Sequence, residues 1–274
     1  MTPLDRRGAL RDMARACLAE RPLPPELVAR RVLRIRRSVP PPVAERLVAA
    51  LLAGDPAFRR AEDGWWSMTP PAAGGDARPL REIPFVVVDV ETTGGRPLAD
   101  RIIEIAAVRV EDGRVTDEWS SLVDPGRPIP AFVARLTGIS DRAVSAADPF
   151  PRVADAFLDF LGGGAFVAHN AMFDWRFVNA ELFAARGGRL TNAHLCTVRL
   201  ARRLLPGVRR RNLDALAHLF GVPVEGRHRA LGDARATARI LVRLLDTAGE
   251  RGVETEADLA ALVGAGGTLR PMPL

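Results

Sequence analysis

Pro84-Phe85-Val86-Val87-Val88-Asp89-Val90-Glu91-Thr92-Thr93-Gly94 is the stretch whose reading decides the fold. An unbroken apolar run that ends in acid is the pattern of a strand buried at the centre of a sheet. Side chains alternate along a strand, so Asp89 and Glu91 project to the same side at its end. Two neighbouring carboxylates in a mostly buried position repel each other unless a cation or a shared proton intervenes. Hard divalent cations such as Mg²⁺ take oxygen ligands of this kind. Taken alone, the pair also fits an acidic strand end facing water.

Downstream, residues 102–110 read as a second strand. Glu111-Asp112-Gly113 turns the chain into a third over 114–123, and 165–170 form a fourth. Helical patterns cover 153–161, 173–186, 198–205, 213–220 and 230–246. Three strands joined by short turns and then strand–helix units predict an α/β domain, a mixed sheet flanked by helices. The ligand crevice of such a sheet lies at the carboxyl ends of its strands.

Upstream, residues 69–83 are too rich in Pro and Gly to continue a helix or a ladder and read as a linker. Before them a helix is expected from Glu26. Leu27, Val28, Val32, Leu33 and Ile35 make its apolar face, and Arg30, Arg31, Arg34, Arg36 and Arg37 take much of the remainder. A second helix is expected from about Val43, with Leu47, Val48, Leu51 and Leu52 inward. Asp63-Gly64 signals a hairpin turn between Phe58 and Arg60 on one side and Trp65, Trp66 and Met68 on the other. Helices followed by a short aromatic hairpin resemble a small winged-helix module.

At 274 residues the chain is long enough for one large domain and a smaller one. It holds no apolar run long enough to span a bilayer and no continuous apolar stretch near Met1 of the kind a secretory signal needs. Cys17 and Cys196 lie far apart without metal-ligand spacing, which fits two small buried apolar residues in a reducing cytoplasm. No Lys occurs, which excludes Schiff-base chemistry and a P-loop lysine. The net charge of +6 is uneven: residues 1–83 hold 15 Arg against 10 Asp and Glu, and the rest holds 24 against 23. A basic accessory segment beside a nearly neutral domain suits a polyanionic partner.

Two more stretches carry acid at helix starts. In His169-Asn170-Ala171-Met172-Phe173-Asp174 the fourth strand hands over to a helix, and Asp174 falls in the first turn, where a carboxylate can also cap backbone N–H groups. In His228-Arg229-Ala230-Leu231-Gly232-Asp233 a Gly- and Arg-rich loop leads into the last long helix, where an Asp also suits the helix dipole.

Separately each motif has a plain structural explanation; together their order, spacing and context resemble the DnaQ-like, DEDD-type 3′→5′ exonucleases of the histidine subtype. The three stretches match that family's D-x-E-T-T-G, H-N-x-x-F-D and H-x-x-x-x-D. Leu136-Thr137-Gly138-Ile139, Cys196-Thr197 and Asn212-Leu213-Asp214-Ala215-Leu216 agree as well. The resemblance covers about residues 84–246 and implies a ribonuclease H-like fold. The expected organisation is an accessory domain over 1–68, a linker over 69–83, an exonuclease domain over 84–248 and a tail over 249–274.

The resemblance further implies a two-metal mechanism with Mg²⁺ or Mn²⁺ held by Asp89, Glu91, Asp174 and Asp233. His228 is then the general base; an imidazole changes charge near neutral pH, as that task requires. Thr92 and Thr93 are expected to hold the terminal sugar through backbone amides, and Asn170 and Phe173 to line the site. His169, His194 and His218 receive no catalytic step. One departure stands out. Many relatives carry a bulky apolar residue just after D-x-E-T-T-G, against the terminal base, and here that position is Gly95. The expected substrate is a single-stranded or frayed 3′ end of DNA, met as a DNA polymerase subunit or as a stand-alone repair enzyme. RNA is the alternative substrate, and a non-catalytic nucleic-acid-binding protein on the same fold is the alternative class.

Overall fold

The structure, a computed structural model, describes residues 3–18, 23–35, 39–55, 57–60, 64–68 and 78–264. These fall into two compact units that divide between Met68 and Arg78.

The first unit holds α1 (Pro3–Leu18), α2 (Pro25–Val32), α3 (Pro41–Leu52), β1 (Phe58–Arg60) and β2 (Trp66–Met68). α2 and α3 open with proline in the first turn, where a missing N–H does no harm. β1 and β2 pair antiparallel, Phe58 opposite Met68, so the expected hairpin forms, although Asp63 of its turn lies outside the described residues. Leu18, Leu23, Val28, Val32, Val48, Leu52, Phe58 and Trp66 make a core of their own. α2 stops sooner than expected: Arg34 takes a left-handed φ of 52°, and Leu33 and Ile35 reach the core from beyond the helix end. Arg36 and Arg37 lie outside the described residues, as do linker residues 69–77.

The second unit is built on β3 (Phe85–Thr92), β4 (Ile102–Glu111), β5 (Arg114–Leu122), α4 (Ala131–Thr137), α5 (Asp141–Val144), α6 (Phe150–Leu161), β6 (Ala165–Ala168), α7 (Met172–Arg186), β7 (His194–Cys196), α8 (Thr197–Leu204), α9 (Leu213–Phe220), α10 (Ala230–Gly249) and α11 (Glu256–Val263). The sheet order is β5-β4-β3-β6-β7. β3, β4 and β5 are antiparallel neighbours, while β6 and β7 run parallel to β3. This is the mixed sheet flanked by helices that the pattern predicts.

Alternation along β3 decides which face is which. Phe85 and Val87 pack with α8, α9 and α10 in one core, and Val86, Val88 and Val90 pack with α6 and α7 in the other. Asp89 and Glu91 continue the first series and therefore emerge on the α10 side. The segment preceding β3 is part of this unit: Pro79 bridges to Thr255, and Ile83 joins the α10 core. So is the stretch after α10. Thr255 and Asp258 cap α11 reciprocally, and Leu259 and Val263 are buried beside α8 and α10. Among the described residues no helix is long and apolar enough to cross a membrane.

Candidate active site

Three elements bring the acids together. β3 supplies Asp89 and Glu91 at its carboxyl end, α7 supplies Asp174 and α10 supplies Asp233, each helix from its first turn. Asn170 turns the chain from β6 into α7 with a left-handed φ of 66°, a conformation Asn tolerates better than most residues. That turn aims Asp174 across the end of the sheet. Its Oδ1 accepts the Val90 N–H at 3.2 Å, so it is tied to β3, and no side chain caps α7.

Asp233 is held from the opposite side. Its Oδ2 accepts from Arg227 and from the His228 N–H at 3.2 Å, while its Oδ1 is buried without a partner among the described residues. His228 takes a left-handed φ of 61°, and Gly232 packs so tightly that a Cβ there would lie 2.2 Å from the Glu225 carbonyl oxygen. The loop is thereby folded back on the first turn of α10. One ligand atom from each of Glu91, His228 and Asp233 lies within 4.8 Å of the others.

The charge of this cluster is under-neutralised. Burial, and then Asp174, Asp233 and Glu91 in turn, hold the Asp89 carboxyl well above the usual range. Burial pushes Glu91 up to about 7, helped by Asp233 and Glu104. Burial pushes Asp174 up to about 8, against hydrogen bonds from its own amide and that of Val90. Burial raises Asp233 too, opposed chiefly by Arg227. Four carboxylates that resist ionising together, with an orphaned buried oxygen among them, suit hard cations bound by oxygen.

The substrate-side residues have mixed placements. Asn170 is exposed beside the turn, and Phe173 is half-buried with its ring 4.8 Å from that of Phe177. Thr92 Oγ1 donates to the Gly94 carbonyl at 2.6 Å. Thr93 is 2% exposed and its N–H donates to the Arg101 carbonyl at 2.8 Å, so that amide is already engaged. His169 is partly buried with Nδ1 2.9 Å from Thr197 Oγ1, and burial takes its ring down to about 4, leaving it neutral. His194 stacks on Trp175, and His218 is exposed on α9.

Sequence reasoning missed three side chains around the site. Arg227 pairs with Asp214 at 2.9 Å and also with Asp233, tying α9 to α10. Glu104, opposite Glu91 in the ladder and 5% exposed, accepts from Arg229 Nη2 at 2.7 Å and from the Ala230 N–H at 2.9 Å, pinning the His228 loop to β4. Glu181 on α7 receives a bidentate bond from Arg101, 2.8 Å on each arm, and the Ile102 N–H, fixing the start of β4. An acid inside the apolar run Ile102-Ile103-Glu104-Ile105 was the available signal for the second of these.

Comparison with known proteins now bears on the whole region. The family model described as Exonuclease matches residues 86–241. A Mycobacterium tuberculosis protein whose name joins exonuclease and endonuclease is 46% identical over 198 residues, which is 67% of this chain and 30% of that protein. The DNA polymerase III subunit epsilon of Aquifex aeolicus is 39% identical over 162 residues, 59% of this chain and 80% of that one. The solved structure of Exonuclease X in complex with 5′ overhanging duplex DNA is 31% identical with a TM-score of 0.53, covering 66% of this chain and 99% of its own. The chain thus spans under a third of the first relative and most of the second. The sheet and its flanking helices are the ribonuclease H-like fold. With its family model and these relatives in agreement, the chain belongs to the DnaQ-like 3′→5′ exonucleases.

Proposed function

We propose that the chain removes nucleotides from single-stranded or frayed 3′ ends of DNA, releasing nucleoside 5′-monophosphates with two divalent cations, Mg²⁺ or Mn²⁺. The observation that carries this reading is the under-neutralised cluster of Asp89, Glu91, Asp174 and Asp233, with the buried, unpartnered Oδ1 of Asp233 in its midst. Asp89, Glu91 and Asp233 would hold one cation and share Asp89 with a second supported by Asp174. Such a pair stabilises the charge that develops on both the attacking and the leaving oxygen of an in-line displacement.

The rest is the work of the chain itself. His228, whose imidazole approaches the oxygens of Glu91 and Asp233, takes the proton from the attacking water. Glu104 and Arg229 keep its loop in register. Asn170 and Phe173 form the wall beside the terminal nucleotide. Thr92 and Thr93 shape the other wall; because the Thr93 N–H is bonded to Arg101, the sugar contact falls to the neighbouring backbone.

The choice of DNA follows from the relatives: one is named a subunit of DNA polymerase III, and another was solved with duplex DNA. Association with a polymerase belongs to the same reading, as does a cytoplasmic setting, which suits two free cysteines. The first unit, with Arg30, Arg31 and Arg34 exposed, serves as an accessory that aids binding to DNA or to a partner protein.

The test is the whole chain with Mg²⁺ and a labelled single strand, in parallel with a matched RNA strand. Stepwise loss of mononucleotides from the 3′ end of DNA, abolished by chelator and by Asp89→Asn, is expected. Preferential degradation of the RNA would transfer the reading to RNA processing. No chelator-sensitive release from either strand would leave only a binding protein on this fold.

A further inference from the structure

The second unit is close to neutral, yet one stretch of it is not. Between Cys196 and Asp214 the chain carries Arg199, Arg202, Arg203, Arg209, Arg210 and Arg211 and no acid at all. Arg211 is used structurally, donating to the Leu205 carbonyl at 2.9 Å. The other five form no ion pair among the described residues, and Arg202, Arg203, Arg209 and Arg210 are exposed. The contrast with the arginines around the cluster is sharp. Arg101, Arg227, Arg229 and Arg235 are each matched to a carboxylate.

Both ends of this stretch are anchored beside the acid cluster. Thr197, which opens α8, holds His169 through its hydroxyl. At the other end the Arg211 backbone carbonyl lies close enough to favour the charged form of the His169 ring, without closing a hydrogen bond to its buried Nε2. His169 immediately precedes the Asn170 turn that delivers Asp174. Just beyond Arg211, in the first turn of α9, Asp214 pairs with Arg227, which leads back to Asp233.

We infer that Arg199, Arg202, Arg203, Arg209 and Arg210 form a phosphate-binding track for the nucleic-acid strand upstream of its terminal nucleotide. The inference rests on the exonuclease reading for the direction of the strand. A row of unpaired guanidinium groups leading up to a cluster of acids has a field that suits a polyanion whose end must enter an acidic pocket. Any carboxylate charge that protons or cations leave uncancelled repels a strand, and the track offsets that repulsion. Arg offers the planar donor fork that matches a phosphate in two bonds.

The experiment compares the wild-type chain with Arg209→Ala/Arg210→Ala and with Arg209→Lys/Arg210→Lys. Binding of a DNA strand of about 20 nucleotides is measured in chelator across a salt series. Cleavage in Mg²⁺ is measured on that strand and on a chromogenic thymidine phosphodiester too short to reach the track. For the alanine variant, the slope of log affinity against log salt should flatten by about 1.4, the loss of two phosphate contacts on a single strand. KM for the long strand should rise roughly tenfold at moderate salt with kcat nearly unchanged, and the short reporter should be cleaved as by wild type. The lysine variant should recover most of the slope, because charge is what counterion release reads. An unchanged slope and KM, or equal loss on long and short substrates, overturns the track. A wild-type chain inert on both substrates would sink the exonuclease reading instead, and the chelator binding series would still decide the track by itself.

Discussion

Two groups of acids lie in the second unit, on β3, β4, α7 and α10, and are treated in opposite ways. Glu104 and Glu181 are each met by an arginine in two bonds and by a backbone N–H, so every oxygen is occupied. Asp89, Glu91, Asp174 and Asp233 share Arg227 and a few backbone amides, and their carboxyls are driven up by burial and by one another. The first group holds the loops that carry the second. The acids that the chain satisfies hold the fold; the four that it leaves unsatisfied are those proposed to carry the chemistry.

The largest effect that separates the groups is on turnover. Asp89→Asn should lower nucleotide release by about a thousandfold or more, the scale of losing several kcal/mol of charge stabilisation in the transition state. It should not lower thermal stability in chelator, since it removes a repelled charge; circular dichroism melts run beside the assay check both halves. The mirror-image substitution is Arg229→Ala, which strands the buried Glu104 carboxylate. It should destabilise the fold by about 3 kcal/mol, whereas Glu104→Gln, which still accepts the Ala230 N–H, should cost about 1 kcal/mol. Denaturant unfolding of the two variants compares them, and equal losses would mean that Glu104 is not held as described.

Much of this division was legible in the sequence, and the missing part has a physical reason. That Asp89 and Glu91 share one side could be read from strand alternation, because period two is local, but a role for the pair could not. Asp174 and Asp233 could not be separated from helix-start acids by local rules, and the resemblance decided them. The structure shows Asp174 bonded to Val90, 84 residues away, and Glu104 bonded to Arg229, 125 residues away. No window on the chain contains such pairs. β7 was missed because three residues carry too little periodicity, and α4 and α5 because helices of seven and four residues in a Pro-rich segment hold at most two turns of pattern. α11 was passed over as tail, although Thr255 and Asp258 already spelled its cap.

A smaller effect concerns pH. Glu91 rises from 4.5 to about 7 and Asp174 from 3.8 to about 8 on folding. Between the unfolded and folded values the folded chain keeps protons that the unfolded chain has released. Stability from these groups is therefore full below about pH 4 and is lost as pH rises through 7 and 8. In chelator the melting temperature should fall by roughly 5 °C between pH 6 and 9, about 2 kcal/mol after allowance for solvent screening, and Asp89→Asn should reduce the fall. The smallest effect belongs to the first unit. Replacing Arg30, Arg31 and Arg34 together by Ala should weaken strand binding several-fold and flatten its salt slope without altering kcat on a short reporter, as fluorescence anisotropy and a cleavage assay would register.

The proposed chemistry centres on a cation site that protons keep in waiting. Calorimetric titration of Mn²⁺ into the metal-free chain at pH 6.5, repeated in buffers of different ionisation heat, reads this directly. Release of about two protons per chain on binding is predicted, chiefly from Glu91 and Asp174, shrinking at pH 9 and disappearing along with tight binding in Asp89→Asn/Asp233→Asn. Binding without proton release at pH 6.5, or release that survives the double substitution, would contradict it.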